Sequence, residues 1–256
     1  LGMVYRQAQE NVQVLTLFYT SSCIFFSYYI FKEFNLKKWG MRIACAIMVF
    51  SPAFILMSGS LNNDALSLAL QIVAIYTAIR WYKKPKLVTI LLLAVSIGLS
   101  MMAKLSGGAV APAVAALFFL KLLQQAEDKN GLECHGMRAL LPNLKKYALQ
   151  FAAFAFVCIP LGLWSPIRNY VSYNLPFNYT PPVGEGLEQY PVWQRLFDLR
   201  MHSVYPAMVN NGDAYDEYNV FLAMIKSSLF GEYKYDQITG IANPFALLLF
   251  ITGVLL

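Results

Sequence analysis

Charge is scarce in this chain. Only 13% of its 256 residues are Asp, Glu, Lys or Arg, where a soluble domain carries about a quarter. That shortage argues against an ordinary water-soluble fold. Cysteine and histidine are few as well, four and two. Cys23, Cys45 and Cys158 lie in apolar runs and Cys134 in a basic loop, and no pair has metal-ligand spacing. Neither a disulfide framework nor a Cys/His zinc site is therefore expected. His135 and His202 stand far apart without a partner motif. Gly98, Gly107 and Gly108 follow no strand, so they fit helix packing rather than a phosphate loop. The short alternating segments of a membrane β-barrel are also missing.

Hydrophobic sequence fills the gap. It makes up 58% of the chain, and the mean hydropathy is +0.49. Several runs approach the ~20 residues that cross a bilayer as a helix. The expected fold class is all-α, a polytopic transmembrane bundle of about seven spans. They are read at residues 11–31, 41–58 with a kink at Pro52, 65–82, 87–103, 109–123, and 147–166 broken by Pro160 and Pro166. A seventh, truncated span starts at 241.

Lys32, Lys37, Lys38 and Arg42 crowd one loop, and Arg80, Lys83, Lys84 and Lys86 another. The loop at 124–146 holds Lys129, Arg138, Lys145 and Lys146. The positive-inside rule makes these loops cytoplasmic. It also accounts for the net charge of +6 without invoking nucleic acid. In the loop at 167–240 acids outnumber bases, which suits the extracytoplasmic side. Its pieces PVWQRLFDLR and EYNVFLAMIKSSLF read as amphipathic helices lying on the membrane. The 1–256 chain is read as one transmembrane domain, and because it runs from Leu1 to a point inside an apolar run, as a fragment incomplete at both ends.

The stretch SGSLNNDALS, Ser58 to Ser67, interrupts this pattern. A carboxylate at the edge of a hydrocarbon layer is costly and is generally paired or functional. Asp64 opens the third span on the outer side. Lys104 closes the fourth there, and Arg168 the sixth, both against the positive-inside bias. One carboxylate and two cations from three spans thus share one face, as a held anion would require. Simpler roles exist for each. Asn62 or Asn63 can cap the third helix with Asp64 at its positive end. Lys104 can snorkel to headgroups. Arg168 can anchor a lipid phosphate or pair with Asp64. The Tyr residues of the outer loop, with Trp193, suit sugar stacking or an interfacial aromatic belt.

SGSLNNDALS, GLSMMAKLSGG, PLGLWSPIRNYVSYNLPFNY and IKSSLFGEY, in this order and spacing, resemble bacterial multi-pass glycosyltransferases of the GT-C superfamily. The resemblance is to the group of dolichyl-phosphate-mannose–protein mannosyltransferases and lipid A aminoarabinose transferases. It implies transfer of a sugar from a polyprenyl-phosphate carrier to an acceptor hydroxyl at the outer face of a bacterial plasma membrane. In the inverting form, a carboxylate takes the acceptor proton and cations stabilise the leaving phosphate. Lys104 and Arg168 would hold that phosphate near Asp64. Asn62, Asn63 and Asn169 would donate hydrogen bonds to sugar or phosphate. The expected partners are the lipid-linked sugar, the bilayer and an envelope acceptor, whether protein, lipid or polymer. SGSLNND is also similar to the second acidic motif of oligosaccharyltransferases, where an acid binds a divalent metal, so Asp64 is the ligand if a metal is used.

In the family the main catalytic acid lies in the first outer loop, which these residues are expected to lack along with the first span. Asp64 is therefore expected to be auxiliary, and the fragment alone inactive. The rival reading is a transporter or flippase of an anionic lipid. Broken helices in paired halves and midplane charges would favour it, whereas here the charges gather at one face. A third reading, a non-catalytic membrane scaffold, leaves the cluster to lipid anchoring.

Overall fold

In the computed structural model the described residues are 2–60, 63–127 and 133–175. Asn62, Trp193, the rest of the expected outer loop beyond 175 and the span from 241 lie outside them. The chain divides into two compact units. One joins Leu1–Val49 to Met57–Asn178; the other joins Phe50–Leu56 to Tyr179–Leu256. Of the second, residues 50–56 are described.

The described residues are almost entirely helical. The helices are α1 (Gly2–Glu33), α2 (Lys38–Val49), α3 (Pro52–Gly59), α4 (Asp64–Lys83), α5 (Leu87–Ala103), α6 (Ala111–Leu122) and α7 (Leu140–Tyr173). The only strands among them are the two-residue pair β1 (Ala126–Glu127) and β2 (Glu133–Cys134). Four helical segments are long and apolar enough to span a membrane: 10–33, 64–83, 105–122 and 136–173, with a fifth if α2 and α3 form one. α5 is apolar but shorter, at 17 residues. The multi-pass helical class holds, and the expected count of seven is met in part.

Two expectations need correction. The sixth span is not broken at its prolines, because α7 runs through both Pro160 and Pro166. Each removes one backbone bond, and a helix packed among neighbours tolerates that loss. The stretch expected as a turn between the fourth and fifth spans is helical: Leu105–Val110 forms a 3-10 segment that leads into α6. The fifth apolar stretch thereby gains length. At Pro52 the helix stops and restarts, with Pro52 as the first residue of α3, where its missing N–H has no helical partner to lose.

Within the first unit, α5 packs most extensively on α4 and α7, and α1 packs on α4. Small residues permit the approach. Ala74, Ala78 and Ala94 are buried with Leu93 and Ile97 in one core cluster, as expected where helices meet in lipid. A Cβ added to Gly98 would lie 2.6 Å from the Leu161 Cβ and 3.3 Å from the Cys158 carbonyl of α7. The Leu161 Cβ cannot swing aside, so the two helices would have to part. Gly98→Ala is expected to cost about 1–3 kcal/mol, read as a lower melting temperature in detergent. Gly40→Ala on α2, where nothing lies within 4 Å, should leave melting unchanged or raise it slightly, since Ala is the better helix former.

At one end of the bundle, Trp81 of α4 is fully buried with Ile90 and Tyr147. Its indole Nε1 donates to Gln150 Oε1 at 2.6 Å. Lys121 donates to the Tyr82 carbonyl at 2.8 Å, and Lys83 pairs with Glu33 of α1 at 2.8 Å. Outward, α7 exposes Leu149, Phe156 and Val171 at 75%, 82% and 77%. Apolar surface of that extent needs lipid or protein against it.

Candidate functional site

The opposite end of α4 carries the predicted polar cluster. α4 and α5 are antiparallel, so the first turn of α4 meets the last turn of α5. α5 ends at Ala103, and Lys104 turns the chain away in an extended conformation, φ −155° and ψ 128°. Its backbone N–H still reaches the Ser100 carbonyl at 3.0 Å, and its own carbonyl accepts from Gly107 N–H at 2.7 Å. The Lys104 side chain forms an ion pair with Asp64 Oδ1. The sequence offered Arg168 as the partner of Asp64; in the structure Lys104 takes that place.

Asn63 does not cap α4 with its side chain. Its backbone is already helical, φ −80° and ψ −1°, whereas a capping side chain needs an extended residue to reach back to the first N–H groups. Asn63 instead donates from Nδ2 to the Ala103 carbonyl. It thus satisfies one of the orphan carbonyls at the end of α5. Asp64 sits in the first turn of α4, where the helix dipole favours its charge. The Lys104 and Asp64 side chains are 46% and 37% exposed. A pair this open contributes only about 0–1 kcal/mol to stability, and solvent or a ligand can reach it.

Arg168 and Asn169 are on α7, which runs parallel to α5. Gly162 of α7 packs on Met101 of α5. At about 1.5 Å per residue, Arg168 rises roughly 9 Å beyond that contact and Lys104 roughly 4.5 Å. Arg168 is therefore at the same end, about one turn further out. It is exposed, and no ion pair between it and Asp64 is found among the described residues. Asn169 is exposed beside it, and its carbonyl accepts from Leu175 N–H at 3.4 Å as left-handed Asn174, φ 52°, closes the helix. Asn63, Asp64 and Lys104 are thus brought together, while Arg168 and Asn169 share their end with no hydrogen bond or ion pair to them found among the described residues.

The described residues hold no group of three His, Cys, Asp or Glu side chains placed to bind a metal ion, and the Asp64 carboxylate already faces an ammonium group. What the arrangement offers is cationic and amide donors around an open rim, a chemistry suited to an oxyanion. Sequence reasoning missed Ser67 and Ser100, which bond to each other one turn below the ion pair. Their only sequence signal is helical spacing from Asp64 and Lys104, inside otherwise apolar runs.

Comparison with known families adds a second, independent line. The family model described as dolichyl-phosphate-mannose-protein mannosyltransferase matches residues 4–131. That stretch contains Asn63, Asp64 and Lys104 and ends before Arg168. No curated protein and no solved structure gives a significant match. The match covers half of the chain and includes the two helices that build the ion pair, and on that basis the chain belongs to the dolichyl-phosphate-mannose-protein mannosyltransferase family of membrane glycosyltransferases.

Proposed function

We propose that the protein transfers a sugar from a polyprenyl-phosphate carrier to an acceptor hydroxyl at the outer face of a bacterial plasma membrane. In this reading it is grouped with the protein mannosyltransferases and lipid A aminoarabinose transferases. The observation that carries it is the Asp64–Lys104 pair, with Asn63 beside it, open at one end of a helical bundle. The acceptor oxygen attacks the anomeric carbon as the bond from that carbon to the phosphate oxygen breaks. The acceptor's proton passes to a carboxylate base, and the carrier leaves as its phosphate. Charge grows on that phosphate, so fixed cations nearby lower the barrier. Lys104 and Arg168 fill this role, with Asn62, Asn63 and Asn169 as donors to sugar or phosphate. Asp64 is auxiliary: it holds the Lys104 ammonium in place before the phosphate arrives.

The test is a transfer assay on the full-length protein in lipid, with radiolabelled dolichyl-phosphate mannose, a cell-envelope extract, and a divalent-metal chelator in parallel. Label entering any acceptor supports the reading. Sensitivity to the chelator would recast Asp64 as a metal ligand. Arg168→Ala is expected to slow transfer on the order of tenfold, less than the ~10²–10³ of a preorganised oxyanion donor, because Arg168 stands about one turn further out than Lys104 and no ion pair with Asp64 fixes it among the described residues. Membrane insertion should be unaffected. Wild-type rates in this variant would remove Arg168 from the clamp.

A further inference from the structure

Beneath the ion pair lies a buried polar contact that the chemistry above does not use. Ser67 is one turn into α4 from Asp64, and Ser100 is one turn before Lys104. They are 2% and 0% exposed. The Ser100 hydroxyl donates to the Ser67 carbonyl at 3.0 Å, and the two hydroxyl oxygens are 3.0 Å apart. Gln71 Nε2 donates to Ser67 Oγ at 3.3 Å. This clasp fixes the height of the α4 start against the α5 end. A slide of one helix along the other would break several buried hydrogen bonds at once, each costly to leave unmade.

A second contact presses on the same serine from the far side of Lys104. Gly107 is buried, and a Cβ there would lie 2.3 Å from Ser100 Oγ, 2.5 Å from the Ser100 carbonyl oxygen and 2.6 Å from its carbon. Two of these three atoms are backbone, so no rotamer change relieves the clash. The chain after Lys104 therefore folds back onto Ser100 only because residue 107 is glycine. Lys104 is held on both sides. Its N–H bonds to the Ser100 carbonyl, and its carbonyl accepts from Gly107 N–H.

We infer that Ser67, Ser100 and Gly107 are positioning residues for the Lys104 ammonium, setting where it meets the phosphate of the lipid carrier. The inference rests on the function proposed above and concerns the same site. Buried hydroxyls between helices are otherwise simply packing contacts. A positioning role differs in one respect: its effect must pass through Lys104.

A double-mutant cycle separates the two. Dolichyl phosphate binding is measured on the full-length protein in nanodiscs, for wild type, S100A, K104A and the double variant. S100A is expected to weaken binding about fivefold in the wild-type background and to have no effect in the K104A background. Gly107→Ala should weaken it more, about tenfold, and should raise the donor KM while leaving the acceptor KM unchanged. If Gly107→Ala does not insert, S100A decides alone, since it only removes a hydroxyl. Equal weakening by S100A in both backgrounds, or none in the wild type, overturns the inference while leaving the site reading intact. Binding by K104A as tight as by wild type overturns the site reading, and the inference with it.

Discussion

Lys104→Ala is expected to lower sugar transfer by about 10²-fold, the scale for removing one preorganised donor from a developing oxyanion. The variant should insert and melt almost as wild type does. The pair it breaks is nearly half-exposed, and such pairs contribute about 0–1 kcal/mol. A large effect on rate with a small effect on stability marks a group that acts on substrate. The charge swap sharpens the point. Asp64→Lys combined with Lys104→Asp rebuilds an ion pair between the same helix ends with the cation on the wrong helix. If the pair mattered only for holding α4 to α5, the swap would restore transfer. The expected outcome is that melting falls slightly, because both charges then oppose the helix dipoles, and that transfer stays low. Recovery in the swapped protein to near the wild-type rate would count against a phosphate-directed role for Lys104.

The largest loss of stability is expected from Trp81→Ala. Trp81 is fully buried and meets Phe118 of α6 at a ring distance of 4.9 Å, and Tyr147 and Phe151 of α7 at 5.7 Å each. It therefore joins three helices. In a water-soluble core such a truncation costs about 3–5 kcal/mol. Here the loss should be smaller, about 2–3 kcal/mol, because lipid already solvates apolar groups in separated helices and only packing is forfeited. Trp81→Phe keeps most of the ring but removes the donor to Gln150, which costs about 1 kcal/mol. Denaturant titration in mixed micelles should rank wild type above Trp81→Phe and Trp81→Ala lowest. Equal stability of all three would mean that the aromatic cluster is not the tie between α4, α6 and α7.

These cases show why some features were legible in the sequence and others were not. The helices were legible because long apolar runs have few alternatives in lipid. That Asp64 and Lys104 share one end was legible because ionic groups are rare in such a chain and each one needs a reason, but the sequence offered Arg168, not Lys104, as the direct partner of Asp64. Trp81 drew no role from the sequence, since it stands at the end of the third expected span beside Arg80, Lys83, Lys84 and Lys86. Its burial depends on Gln150, 69 residues away, which no local pattern reveals. Pro160 and Pro166 were read as breaks because proline loses a backbone bond wherever it stands. Whether the helix bends or ends is decided by its neighbours. Asn62 or Asn63 was one candidate cap for the third helix because the local rule is strong, yet the Asn63 amide serves the end of another helix, a choice made by tertiary contact. The Ser67–Ser100 clasp was silent for a plainer reason: serine is common, and only the antiparallel register of α4 and α5 puts these two together.

The unequal lengths of neighbouring helices have a consequence for the lipid itself. At about 1.5 Å per residue, the 17 residues of α5 rise roughly 26 Å, short of a hydrocarbon layer of about 30 Å. The 34 residues of α7 rise roughly 51 Å. α7 can stand out of the layer at its polar ends, which carry Lys145, Lys146, Arg168 and Asn169, whereas α5 beside it is a few ångströms too short for a flat layer. Thinning a leaflet costs fractions of a kcal/mol per Å, far less than burying an ammonium group in hydrocarbon, so the leaflet yields and dips beside α5. Headgroups then descend to the level of Lys104 while α7 stands above them as a wall. On the function proposed above, a carrier phosphate drifting in that leaflet is lowered toward the ion pair by the shape of the surface before any side chain has touched it.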